Sequence, residues 1–229
     1  MHETSDLLHF AEHTLQEVAL VFMALVYITR ITWFLKRFKA GKERQAETGL
    51  PGTTKAKGIV YSWANVAMPW AMESTRKKPF FYAQFLIFHI GGVTAAIALS
   101  FIIPYAPGLL ENSTLVLLLQ VSIGLACLIG VMRIVRRVSN PYMRAISSPD
   151  DYFSLILLTV WFFFATLSVP NSTANGELHL LTYFILTAFF LVYVPFSKIS
   201  HYLYYPFTRY YFGKSMGYRG VYPLRSESR

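Results

Sequence analysis

Six histidines are the side chains of this 229-residue sequence best suited to redox or metal chemistry. Two of them stand where an imidazole is costly. His89 lies ten residues after Pro79 in a long apolar stretch, roughly 15 Å along a helix that rises about 1.5 Å per residue. His201 follows the end of another such stretch. An ionisable group within a membrane needs a partner in the bundle interior. Two neutral imidazoles from different helices can grip a heme iron from opposite faces, which satisfies both at once. The alternative is that each imidazole simply hydrogen-bonds a neighbouring helix. Heme propionates would call for cations, and Arg30, Lys198 and Arg133 are available; snorkelling at helix ends is the ordinary role of such residues. His13 and His179 offer a second, weaker ligand pair, and interfacial histidines in contact with water commonly have no special role. The spacing of His9 and His13 lacks the glutamate of a zinc-hydrolase helix. No Ser/His/Asp array or phosphate loop is present, and the single Cys127 excludes a disulfide framework or a Cys-ligated cluster within the chain.

The elements that must position these residues are apolar helices. Charged residues make up 14% of the chain against 54% apolar and 17% aromatic, well below the roughly 25% charged of soluble domains, and the mean hydropathy is +0.40. The apolar residues fall in five blocks of about 18–24 residues: 15–35, 80–103, 114–132, 152–169 and 178–200. Pro79 suits a helix start, where its missing N–H costs nothing, and Pro104 and Pro107 are expected to close the second span. Ser148-Pro149-Asp150-Asp151 reads as a helix N-terminus. Pro195 predicts a kink before the end of the fifth span. No stretch shows the sustained alternation of a barrel strand. The expectation is an all-α bundle of five transmembrane helices forming one domain over residues 1–229. Within the connection 36–78, the run 59–74 carries two tryptophans and suits either a helix at the membrane surface or a loop folded onto a partner.

The net charge of +9 is explained by topology and needs no nucleic acid. Eleven of the 21 Lys and Arg lie between Arg30 and Lys78, four between Arg133 and Arg144, and six from Lys198 to the C-terminus. The N-terminus and the segments 104–113 and 170–177 have none. Because Lys and Arg are retained on the cytoplasmic side, the N-terminus is expected outside and the C-terminus inside. The absence of a basic stretch before the first span argues against a removed signal peptide and suits a prokaryotic cytoplasmic membrane. His89 and His201 would then both lie in the inner half of the bilayer.

The stretch Phe85-Leu-Ile-Phe-His89-Ile-Gly91-Gly resembles the second helix of the respiratory nitrate reductase gamma subunit family, the membrane cytochrome b of that enzyme. Pro195-Phe-Ser-Lys198-Ile-Ser-His201 is similar to the motif ending its fifth helix, and Arg30-Ile-Thr-Trp33 fits the first. Ser147-Ser-Pro-Asp150-Asp151-Tyr152 looks more like the branch of heterodisulfide-reductase-like and sulfite-reductase-associated membrane subunits. The resemblance covers nearly the whole chain. It implies a heme b relay between a quinone pool and a cytoplasmic iron–sulfur subunit of such a complex, with His89 and His201 as the axial ligands. It also implies a departure: where two-heme members carry further histidines, this chain has Leu99, Ser100 and Tyr183. A second heme is therefore expected to be missing, or held differently through His13 and His179. A heme-free anchor that tethers a soluble redox partner is the competing class. The basic face and the tail 202–229 would dock a partner subunit, anionic lipid, or both.

Overall fold

The computed structural model describes residues 5–37, 54–71 and 73–217. His2, most of the connection 36–53 and the tail beyond residue 217 lie outside them. The described residues form helices and turns, with no strand among them. In chain order the helices are α1 (Asp6–Glu12), α2 (Thr14–Arg37), α3 (Lys55–Ala64), α4 (Glu73–Lys77), α5 (Pro79–Leu86), a π-helical stretch Ile87–Thr94, α6 (Ala95–Tyr105), α7 (Ser113–Ser139), α8 (Pro141–Ala145), α9 (Pro149–Ser168), α10 (Leu178–Tyr193) and α11 (His201–Phe212). Among the described residues, five stretches are long and apolar enough to cross a membrane: Asp6–Arg37, Pro79–Tyr105, Ser113–Ser139, Pro149–Ser168 and Leu178–Phe196. Helices satisfy every backbone polar group internally, so apolar sequence of this length settles on them in hydrocarbon. The chain is a multi-pass helical membrane protein.

The boundaries differ from those read off hydropathy in instructive ways. Helix α7 runs on past Met132 to Ser139 and includes Arg133, Arg136 and Arg137. Long basic side chains can reach away from apolar surroundings while their backbone stays helical, so the end of an apolar run does not end the helix. Pro104 does not stop α6, which continues one residue beyond it. The fifth span ends earlier than expected. Pro195 terminates the helix instead of kinking it: α10 stops at Tyr193, a 3-10 turn covers Val194–Phe196, and Ser197 is extended at φ −94°, ψ 171°. His201 therefore opens a separate helix, α11, and does not lie on the fifth span. Proline has no N–H to continue the helical ladder, and the Ser197 hydroxyl accepts from the Ile199 N–H at 3.1 Å to hold the new direction.

The described chain divides into two compact units, Met1–Thr29 with Ala83–Ile199, and Arg30–Tyr82 with Ser200–Arg229. The expected single domain is thus built of two parts. In the first, α7 packs on α9 and on the π-helical stretch, and α9 packs on α10. Small residues let the backbones approach: a Cβ on Gly130 would collide with Thr159, and one on Gly92 would come within 2.5 Å of the Ala126 Cβ. The core is Leu99, Ile123, Phe162, Tyr183 and Phe184, all fully buried. Its polar groups are paired, as a low-dielectric interior requires: the Tyr183 hydroxyl donates to the Ala96 carbonyl at 2.5 Å, and Trp161 Nε1 donates to Thr187 Oγ1 at 2.8 Å. Val18, Val21, Leu25 and Ile28 of α2 stay exposed, the pattern of a helix facing lipid.

In the second unit α3 packs on α11 and on the π turn Gly213–Gly217. The Thr54 hydroxyl caps α3 by accepting from the Lys57 N–H at 3.2 Å. A Cβ on Gly213 would run into Ile59 and Gly58, so glycine is required where these backbones meet. Trp63 Nε1 donates to the Pro206 carbonyl at 2.8 Å, and the Phe34 ring packs on Tyr204 and Phe207. Within the run 59–74, the described residues are the end of α3, two 3-10 turns over Asn65–Ala67 and Pro69–Ala71, and the start of α4, with Trp63 and Trp70 exposed.

Candidate functional site

His89 sits inside the π-helical stretch Ile87–Thr94. Such stretches are rare and concentrate at functional sites, because widening the turn frees backbone carbonyls from the regular ladder. Two side chains use carbonyls here. His89 Nδ1 bonds the Phe85 carbonyl at 2.9 Å, and the Thr94 hydroxyl donates to the His89 carbonyl at 3.1 Å. A carbonyl only accepts, so Nδ1 carries the proton and the lone pair of the neutral ring is on Nε2. Backbone anchoring of one ring nitrogen is the usual way a metal-ligating imidazole is oriented. The ring is half-buried and lies 4.4 Å from Phe85 and 5.6 Å from Phe88, centroid to centroid. Phe88 in turn packs edge-on against Phe162 at 5.2 Å and lies 4.6 Å beneath the Arg133 guanidinium. A cation so placed over a ring is held by its quadrupole. Local sequence explains the arrangement: Gly92, one turn after His89, permits the close approach of Ala126 and Phe162.

His201 belongs to the second unit. It is the exposed first residue of α11, with its ring 6.5 Å from Tyr202. Arg30, in α2, falls in the same unit. Lys198 is drawn into a different arrangement. Its ammonium donates to Asp151 Oδ2 at 3.1 Å and to the Ser148 hydroxyl at 2.7 Å. Ser148 and Asp151 form the capping box of α9. Nearby, the Tyr193 hydroxyl donates to Asp150 Oδ1 at 2.6 Å, and Arg137 donates to the Ser147 hydroxyl at 2.7 Å. The two sequence motifs around Asp150 and Lys198 therefore meet in space. Asp150, Asp151 and Tyr193 were not among the site residues read from the sequence. The Ser-Pro-Asp-Asp run reads in the sequence as a helix start and as a motif of resemblance, and neither reading points to Lys198 or Tyr193 as its partners.

The histidines near the N-terminus go elsewhere. His13 stands at the break between α1 and α2, its ring 4.7 Å from His9 and 5.6 Å from Tyr105. The Tyr105 hydroxyl donates to Glu17 at 3.0 Å. His179 is half-buried in the first turn of α10, and its carbonyl accepts from the Ser168 hydroxyl at 3.2 Å. Leu99 and Tyr183 are fully buried in the apolar core with Trp161, Phe162 and Phe184.

Helix α1 is tied to the segment before α10 by Ser5, whose N–H donates to Glu177 Oε1 at 3.0 Å and whose hydroxyl donates to Oε2. These bonds favour the ionised carboxylate and hold Glu177 below the usual range, the hydroxyl having the larger effect. A depressed folded value means the tie is complete above the ordinary Glu range of about 4.3 and is lost as pH falls through the folded value. We expect amide exchange in Leu8 and His9, corrected for intrinsic rates, to rise severalfold in that acid window. Glu177→Gln is expected to remove the pH dependence; an unchanged acid response in that variant would assign it to another group.

Comparison with known proteins gives one informative match and two blanks. A protein of Nitratidesulfovibrio vulgaris, whose name states no function, is 27% identical over 193 residues, covering 76% of this chain and 77% of its own. No protein-family model matches the chain. No solved structure matches it.

Proposed function

We propose that this chain is the heme b-bearing membrane subunit of a quinone-linked redox complex, with His89 and His201 as axial ligands. The observation that carries the reading is His89 itself, set in a π-helical stretch with Nδ1 anchored on the Phe85 carbonyl, so that Nε2 is the ligating nitrogen. Phe85 and Phe88 supply apolar surface for a porphyrin face, and Arg133, over the Phe88 ring, is a cation for its carboxylates. The motif around His201 supports it as the second ligand. Heme bound by two imidazoles supplies one-electron relay and has no open coordination position for substrate. The distribution of Lys and Arg supports an outside N-terminus and a basic cytoplasmic face, in a prokaryotic inner membrane. That face would dock an iron–sulfur subunit of the heterodisulfide-reductase-like or nitrate-reductase-like kind, while quinol or quinone enters from the lipid.

Pyridine-hemochrome quantitation on the purified full chain, produced with ample heme, tests the reading. The expected result is one heme b per chain, with a dithionite-reduced b-type band. A folded chain with no Soret absorption would leave the heme-free anchor. A ratio of two would overturn the single-heme assignment and return attention to His13 and His179.

A further inference from the structure

Beside α1 an open cleft of about 480 Å³ lies between Leu8, Ile103 and Leu180 on its apolar side and Glu12, Ser172 and Thr173 on its polar side. The volume is that of a small-molecule site. Glu12 is only 8% exposed, and its carboxylate has no hydrogen-bond or ion-pair partner among the described residues. An ionised carboxylate removed from water without a partner is costly, so the position calls for a group that binds it. No Lys or Arg lines the cleft. Residues 1–29, 104–113 and 170–177 contain no Lys or Arg, whereas Asp6, Glu12, Glu17, Glu111 and Glu177 lie in them. Glu177 and Glu17 are already engaged, by Ser5 and Tyr105. Glu12 is the buried one of these carboxylates, and it lines the cleft.

We propose that this cleft binds a primary ammonium group, with Glu12 as its counter-ion. A primary ammonium has three N–H donors and no acceptor, and four oxygen-bearing side chains line the cleft to accept from it, Glu12, Asn171, Ser172 and Thr173. The apolar wall takes the carbon attached to the nitrogen. Charge-assisted bonds of this kind are about twice as strong as neutral ones. A quinol ring is disfavoured as the occupant. Ile103 lies fourteen residues beyond His89 on the same spanning stretch, roughly 20 Å at the helical rise, which leaves a ring in the cleft remote from His89. The ammonium site itself needs no heme at His89; the exclusion of a quinol rests on the electron-relay reading. The ammonium has two sources, the ethanolamine headgroup of a membrane phospholipid and a dissolved alkylamine.

Native mass spectrometry of the full chain in detergent, with phosphatidylethanolamine and phosphatidylglycerol of matched acyl chains, tests it. The expected result is about a tenfold preference for the ethanolamine lipid, abolished in Glu12→Gln and in Glu12→Ala, and kept in Glu17→Gln. Circular dichroism must show unchanged helix content in each variant, and Thr173→Val, a milder change in the same wall, is expected to weaken the preference. Competition with dissolved ethanolammonium chloride separates the sources: displacement of the lipid means that the ammonium alone suffices, and no displacement means that the lipid headgroup is required. Equal binding of both lipids with no response to ethanolammonium would overturn the proposal. So would a preference that survives Glu12→Gln, or a short-chain quinol analogue that binds in a Glu12-dependent way while both ammonium sources do not.

Discussion

His89→Ala is expected to leave a folded, membrane-inserted chain whose b-type absorption falls to less than about a tenth of the wild-type value. Loss of a partner that merely orients a ligand typically lowers metal affinity about 10–100-fold, and removal of the ligand itself takes away more. The alanine also removes the anchor on the Phe85 carbonyl, so added imidazole would restore binding only in part. His89→Met distinguishes ligation from packing. A thioether at the same place keeps an axial ligand and raises the reduction potential, whereas a merely structural histidine would show neither retention nor a shift. His201→Ala is expected to give the same loss as His89→Ala. His179→Ala is expected to keep the full spectrum, since the structure uses the backbone carbonyl of that residue and not its ring. Full absorption in His89→Ala would sink the ligand assignment.

The second large effect concerns Gly92, one turn beyond His89. A Cβ there would stand 2.5 Å from the Ala126 Cβ and 2.9 Å from the Phe162 ring, both well inside van der Waals contact. Phe162 cannot retreat cheaply, because it is fully buried and packs on Phe88 and Trp161. Gly92→Ala is therefore expected to destabilise the bundle by about 1–3 kcal/mol, the usual range for overpacking, and Gly92→Leu by more. Neighbouring Gly91 provides the internal control. A Cβ on it would meet the Ser122 carbonyl oxygen at 3.5 Å, an ordinary contact, and alanine is the better helix former. Gly91→Ala is expected to be neutral or slightly stabilising. Thermal unfolding of the two variants in the same detergent checks the contrast; equal losses would mean that backbone freedom, and not close approach, explains both glycines. Because Phe162 bears on Phe88 and Phe88 on His89, Gly92→Ala should also alter the spectrum of bound heme, whereas Gly91→Ala should not.

The number of helices and their approximate extents were legible in the sequence because a bilayer leaves little choice. Only helices or closed barrels satisfy the backbone in hydrocarbon, so five apolar blocks without alternation determine five spanning helices, whatever their neighbours are. The cap of α9 was legible for a similar reason: Ser148, Pro149 and Asp151 act within one turn of chain. His89 could likewise be singled out from the sequence, because an imidazole in an apolar run is conspicuous.

Tertiary structure decided the rest. Gly92, within the same π-helical stretch as His89, seats against Ala126 and Phe162, residues 34 and 70 positions away, and a hydropathy profile contains no such term. The end of α10 turned on Pro195. Its apolar surroundings run on to residue 200, so the sequence suggested one bent helix, but the missing N–H and the extended Ser197 give two. Lys198 looked like a cation free to serve a cofactor until Asp151 and Ser148, about 50 positions earlier, were brought against it. The physical division is one of range. Burial of backbone polar groups acts within each segment and can be read residue by residue, whereas close packing and ion pairing depend on which distant side chain arrives, and that is known only once the helices have met.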